Sequence, residues 1–164
     1  MQFLGLYVPT RVAQIVAGCY NDASAMIARN AGMLARLAAD YALGLVSNFS
    51  GNLATVCREF GLDRFFEVIL DSKLVGISKP DARLFQLALE KLNLAPQACY
   101  FVGDSFERDM LPAKSLGMRT IWLQGAETPQ SGDPAKVDFV IASLTALLAI
   151  LENDHVYRSD PGRR

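Results

Sequence analysis

From residue 31 onward short apolar runs alternate with stretches of helical spacing, and this rhythm constrains the fold more than any other property of the 164 residues. Leu43-Gly44-Leu45-Val46, Phe66-Glu67-Val68-Ile69-Leu70, Ala98-Cys99-Tyr100-Phe101-Val102 and residues 119–123 and 138–141 are all of strand length. Short apolar runs without polar alternation are what strands covered on both faces look like. Helical spacing fills the intervals. Residues 33–42 put Leu34, Leu37 and Ala38 on one face, and residues 53–60 are closed by Gly61. Pro80 suits the first turn of a helix carrying Leu84, Phe85, Leu87, Ala88 and Leu92. Residues 107–116 read as a helix interrupted by Pro112 and closed by Gly117, and residues 144–151 as a last helix. Residues 71–78 read as an irregular connection and 125–134 as a turn-rich surface loop. This alternation predicts an α/β fold with a parallel sheet covered on both faces and ligands at the carboxyl ends of the strands.

Composition removes several function classes. A hydrophobic fraction of 51% over 164 residues suffices for one domain with a real core. Charged residues interrupt every apolar run before the roughly 18 residues a membrane span requires. Met1-Gln2-Phe3-Leu4 has no positive region, so a secretory leader is not expected. The net charge of −1 offers no general attraction to nucleic acid or membrane. Cys19, Cys57 and Cys99 match no metal spacing, and an odd number suits a reducing cytoplasm. Cys57 and Cys99 lie in apolar segments and are expected to be buried. Trp122, between Ile121 and Leu123, is expected in the core. Residues 153–164 are expected as a flexible tail, and no catalytic role is expected of His155 within it.

Three clusters carry chemistry. Ser47-Asn48 follows an apolar run, where a hydroxyl, an amide and free backbone N–H groups at a helix start can hold an anion. The same pair also suits plain capping and turn formation. Lys79-Pro80-Asp81 places a cation at a helix N-terminus, against the helix dipole. A bound phosphate or a neighbouring carboxylate would compensate, unless the lysine is simply exposed. Gly103-Asp104-Ser105-Phe106-Glu107-Arg108-Asp109 is the sharpest cluster. Gly103 allows close approach at a strand end, and Asp104 and Asp109 can converge on one hard cation such as Mg2+. The competing reading has Asp104 capping the helix and Asp109 facing solvent.

In this order the clusters resemble motifs two, three and four of the haloacid dehalogenase superfamily. The second motif is matched by Leu45-Val46-Ser47-Asn48, the third by Lys79-Pro80-Asp81, and the fourth by Asp104 and Asp109. The likeness covers about residues 31–125 and extends to 151, and it points to the phosphoglycolate-phosphatase and nucleotidase branch. It implies a Rossmann-like, three-layer αβα core over residues 31–152. It also implies a Mg2+-dependent phosphatase acting on a small phosphorylated metabolite through an aspartyl-phosphate. Ser47 and Lys79 would hold the phosphoryl oxygens, Asn48 would orient the substrate, and Asp104 and Asp109 would hold magnesium.

One part of the pattern is absent. The family's first motif, Asp-x-Asp-x-Thr, supplies the nucleophile at the end of a central strand, and no Asp-x-Asp occurs in this sequence. Asp22 and Asp40 alone precede Ser47, and neither follows an apolar strand. The chain by itself is therefore expected to be inactive. Two readings of residues 1–30 follow. Residues 10–17 and 23–28 suit two helices left over from a helical cap, with the chain starting after the first motif. Alternatively Phe3 to Val8 replaces the first strand. The first is preferred, because the spacing from Thr10 to Ala38 suits cap helices feeding the core. A missing central strand leaves backbone groups unpaired, so a homo-oligomer, a strand swap or a completing polypeptide partner is expected. The competing functional class is a non-catalytic binding or assembly module of the same fold. A receiver domain is disfavoured, since its acidic residues precede its Lys-Pro pair and the order here is reversed.

Overall fold

All five apolar runs form strands in the computed structural model, which describes residues 9–125 and 131–153, with side chains from residue 25 onward. They are β1 (Gly44–Ser47), β2 (Val68–Asp71), β3 (Tyr100–Gly103), β4 (Arg119–Leu123) and β5 (Phe139–Ile141). The helices are α1 (Pro9–Asp40), α2 (Leu53–Glu59), α3 (Ser72–Val75), α4 (Ala82–Leu92), α5 (Leu111–Ser115) and α6 (Leu147–Asn153). Every strand pairing is parallel. Leu45 lies opposite Ile69, Phe101 opposite Thr120, and Trp122 opposite Val140.

The sheet comes in two parts, β1–β2 and β3–β4–β5. Among the described residues no strand joins β1 to β3, and the two do not run side by side. They are nevertheless covered by common layers. On one face α4 and α5 contribute Leu84, Phe85, Ala88, Leu89 and Ala113 to a cluster with Val68 and Leu70 of β2, joined by Val46 of β1 and Phe101 of β3. On the other face Met33 and Leu37 of α1 pack with Ile121, Ile141 and Leu147, joined by Leu43, Tyr100 and Val102. This is the expected αβα layering, with hydrophobic burial on both sides of the strands.

Several local expectations are corrected. Residues 10–17 and 23–28 lie in one continuous helix, α1, of 32 residues, which also runs through the expected 33–42 helix to Asp40. The supposedly irregular stretch after β2 contains α3, because Asp71 accepts a hydrogen bond from Lys73 N and Gly76 (φ 76°) closes the turn in the left-handed region. Pro80 precedes α4 instead of opening it. Asp81 is the N-cap, its carboxylate accepting from Arg83 N, so the helix starts at Ala82. Pro112 does not interrupt a helix. A π-helical turn, Phe106–Met110, leads into α5, where Pro112 occupies the first turn and its missing N–H costs nothing. Cys57 is buried, whereas Cys99 is half-buried just before β3. The alternative first strand at residues 3–8, the tail from 154 onward and His155 lie outside the described residues. Among the described residues no helix is long and apolar enough to cross a membrane.

Phe85 is 1% exposed at the centre of the first cluster and its ring lies 4.7 Å from that of Phe101. Phe85→Ala is expected to cost about 3–5 kcal/mol of stability, read by urea denaturation.

Candidate active site

Ser47 ends β1, and Asn48 follows it into the loop before α2. The Asn48 amide is engaged at both ends. Its Oδ1 accepts from Lys79 N at 2.8 Å and its Nδ2 donates to Lys79 O at 3.0 Å. This two-point clamp fixes the main chain of Lys79.

From that fixed point Lys79 reaches Asp109. Nζ lies 2.7 Å from Asp109 Oδ1, and the side chains are 14% and 2% exposed. The ammonium also sits 5.8 Å from the centroid of the Phe101 ring. Of the two compensations the sequence left open for a lysine near a helix start, the neighbouring carboxylate is the one seen here. Asp109 faces Lys79 and not solvent. The π-helical turn turns Asp109 back towards the end of β3, where its Oδ2 accepts from Ser105 N at 3.1 Å. Ser105 caps the turn, its Oγ accepting from Arg108 N. Gly103 is required by this arrangement, since a Cβ there would lie 2.6 Å from Asp109 Oδ2 and 2.7 Å from its Cβ and Cγ. Asp104 is exposed at the end of β3. Its carbonyl accepts from Nε1 of Trp122, a fully buried core residue as expected, which packs on Phe106 with ring centroids 5.2 Å apart.

All five candidate residues therefore lie at or just beyond the carboxyl ends of β1 and β3 or in the loop before α4. Asn48, Lys79 and Asp109 touch directly. A residue overlooked in the sequence, Asp71 at the end of β2, supports them from below. Its Oδ2 accepts from Gly51 N at 2.8 Å and Leu53 N at 3.2 Å, and its Oδ1 from Lys73 N at 2.9 Å. Burial pushes this carboxyl up, but the N–H groups of Leu53, Lys73, Gly51 and Leu74 together outweigh that and hold it below its ordinary value. Ser72 Oγ adds a contact from Phe49 N. The signal was present: Asp71 stands directly after Val68-Ile69-Leu70, as Asp104 stands after the next strand.

Asp109 Oδ1 is buried and makes no hydrogen bond, although the Lys79 charge is close. That oxygen already faces one cation, the Lys79 ammonium. Among the described residues no three His, Cys, Asp or Glu side chains group together as a closed metal cage. An open magnesium site needs only one or two carboxylates, with waters and a phosphate completing the shell, and Asp104 and Asp109 fit that requirement.

The family described as haloacid dehalogenase-like hydrolase matches residues 12–117, more than half of the chain. The chain belongs to the haloacid dehalogenase-like hydrolases. Among relatives, it is 34% identical over 96 residues to the glyceraldehyde 3-phosphate phosphatase of Pyrococcus furiosus, spanning 57% of this chain and 40% of that protein. It is 33% identical over 112 residues to haloacid dehalogenase-like hydrolase domain-containing protein 3 of Mus musculus, spanning 67% of this chain and 45% of that one. A haloacid dehalogenase-like phosphatase structure from Thermococcus onnurineus superposes with a TM-score of 0.66 at 28% identity, covering 72% of this chain and 54% of the other. The chain thus spans less than half the length of the two sequence relatives. The Rossmann-like αβα core agrees with that family.

Two measurements test this geometry. Gly103→Ala is expected to lower stability by about 1–3 kcal/mol in denaturant titration, because backbone or Asp109 must shift. Gly125→Ala, where an added Cβ meets nothing within 4 Å, is expected to change it by less than about 0.5 kcal/mol. Asp71→Asn is expected to lower Tm at neutral pH. Because the folded carboxyl is depressed, its contribution is present above the ordinary aspartate pKa of about 3.9 and is lost as pH falls below it. The Tm gap between the two proteins should therefore close on acidification.

Proposed function

We propose that this chain is the phosphate- and magnesium-binding part of a haloacid dehalogenase-like phosphomonoesterase acting on a small phosphorylated metabolite. The observation that carries the reading is the Lys79 ammonium, clamped by Asn48 and set against the buried Asp109 at the strand ends. A fixed cation of this kind holds phosphoryl oxygens and offsets the charge that develops on them. Ser47, at the end of β1, would offer a hydroxyl and backbone N–H to the same group. Asn48 acts through Lys79, and Asp104 with Asp109 would hold magnesium. When bound, that ion neutralises phosphate charge and orients the substrate. The names of the phosphatases among the relatives support this class.

Turnover by an aspartyl-phosphate needs a carboxylate free to approach phosphorus. Asp109 is not free to do so, since Oδ2 is bonded to Ser105 N and Oδ1 faces Lys79. With no Asp-x-Asp in the sequence, we propose that the chain alone binds phosphate without hydrolysing esters at family rates. The N-terminal part of α1 would then be the remnant of a helical cap. A reducing cytoplasm is the setting that the buried, free Cys57 suits.

Calorimetry of the isolated chain with inorganic phosphate and Mg2+ is expected to show binding of both. Lys79→Ala should weaken phosphate about 10- to 100-fold, the worth of one hydrogen bond to a charged group. Asp104→Asn should weaken Mg2+ without unfolding the chain. A folded sample silent to both ligands would leave only a non-catalytic assembly role. Steady hydrolysis of p-nitrophenyl phosphate by a preparation free of host phosphatases would refute the missing nucleophile.

A further inference from the structure

Taking Asp104 as the magnesium ligand proposed for it, we infer that the buried Trp122 is a positioning residue that acts on it through a single peptide group. Trp122 is 0% exposed on β4 and lies opposite Gly103 of β3 in the parallel ladder. From there its Nε1–H reaches one residue past the end of β3 and donates to the carbonyl oxygen of Asp104 at 2.9 Å. That carbonyl and the N–H of Ser105 belong to the same peptide group, and the N–H donates to Oδ2 of Asp109 at 3.1 Å. One planar unit is thus held at both ends, by an indole and by a carboxylate. Each bond polarises the peptide in the sense that strengthens the other. Beyond it Asp109 Oδ1 faces Lys79, whose main chain is held by Asn48. A continuous series of contacts therefore runs from β4 to the end of β1, with Asp104 seated on it.

Asp104 is exposed, and among the described residues neither a hydrogen bond nor an ion pair engages its carboxylate. Its main chain therefore decides where the group can reach. On one side Gly103 is fixed by its pairing with Trp122, and on the other the peptide to Ser105 is gripped at both ends. The indole that does the gripping is itself confined. Phe106 packs against it with ring centroids 5.2 Å apart. Gly132 closes over both rings, since a Cβ there would lie 2.6 Å from Phe106 Cγ and from Trp122 Cη2. The ring cannot turn without displacing one or the other. A buried indole N–H needs some acceptor in any fold, and a merely structural bond would contribute to stability alone. A positioning bond differs in one respect: its loss weakens the metal site more than it weakens the phosphate site, because Lys79 keeps all its own contacts.

Calorimetric titration of the full chain with Mg2+, and separately with inorganic phosphate in the absence of Mg2+, tests this. Trp122→Phe is expected to weaken Mg2+ about 10-fold, as loss of an outer-shell partner does, and to change phosphate affinity less than about twofold. Because phenylalanine may loosen the core, a second sample carries β-(3-benzothienyl)alanine at position 122, the chain's single tryptophan. This side chain keeps the shape of the indole and puts sulfur in place of N–H. It should show the same selective loss of Mg2+ affinity with a Tm close to that of the unaltered chain. Equal Mg2+ affinity with indole and with benzothiophene would overturn the positioning role and leave the magnesium site standing. Equal losses of Mg2+ and phosphate affinity in the benzothienyl protein would also overturn it, as the mark of a purely structural residue. A folded, unaltered chain that binds no Mg2+ would remove the magnesium site itself, and the role of Trp122 with it.

Discussion

The Lys79–Asp109 contact is the interaction on which the upper end of the structure depends. Two opposite charges, almost out of water, are tolerable only if each is held where the other compensates it. The surrounding sequence serves that requirement. Asn48 spends both ends of its amide on the main chain of Lys79, Ser105 N holds the second oxygen of Asp109, and Gly103 makes room for the aspartate to lie against the strand. Removing one partner would strand a charge, whereas the pair together joins the β1 side of the molecule to the β3 side.

Below the contact the same joining is done without charges. α4 lays Leu84, Phe85, Ala88 and Leu89 over β2, with Val46 and Phe101 at the margin, so one apolar cluster serves both parts of the sheet. On the opposite face α1 and α6 do the same through Met33, Leu37 and Leu147. Among the described residues the separation of β1 from β3 is therefore set by the helical layers and not by backbone pairing. That is an unusual division of labour for parallel strands, which ordinarily carry their spacing in their own ladder.

Much of this was legible in the sequence because it depends on local pattern. The five apolar runs, the covering helices and the Gly-Asp cluster follow from periodicity and from residues with few alternative uses, such as Gly103. What escaped depends on partners distant in sequence. That the Asn48 amide clamps the backbone of Lys79, thirty-one residues later, is invisible from its own neighbours in the sequence. Asp71 sits in a stretch that reads as loop, and its importance comes from Gly51 and Leu53, which nothing near it in sequence reveals. The start of α4 was misjudged because two capping devices compete there, and Asp81 prevails over Pro80 by accepting from Arg83 N. The continuity of α1 was missed since two short helical patterns merge wherever no strong breaker divides them, and Gly18 and Asn21 are weak ones.

The residues around the contact share a physical meaning. Asn48, Asp71, Ser105 and Gly103 make no contact that requires a ligand; they hold main chain and charged groups in place before one arrives. A cation fixed in this way loses little freedom when an anion binds, and the entropy of ordering it has been met during folding. Under the proposed phosphate-binding role, affinity would rest on hydrogen bonds beside β1, β2 and β3, and stability and recognition would share the same few residues. Asp71 is the clearest instance: its carboxylate holds Gly51 and Leu53 in the loop that carries Asn48, although it touches none of the groups that would meet phosphate.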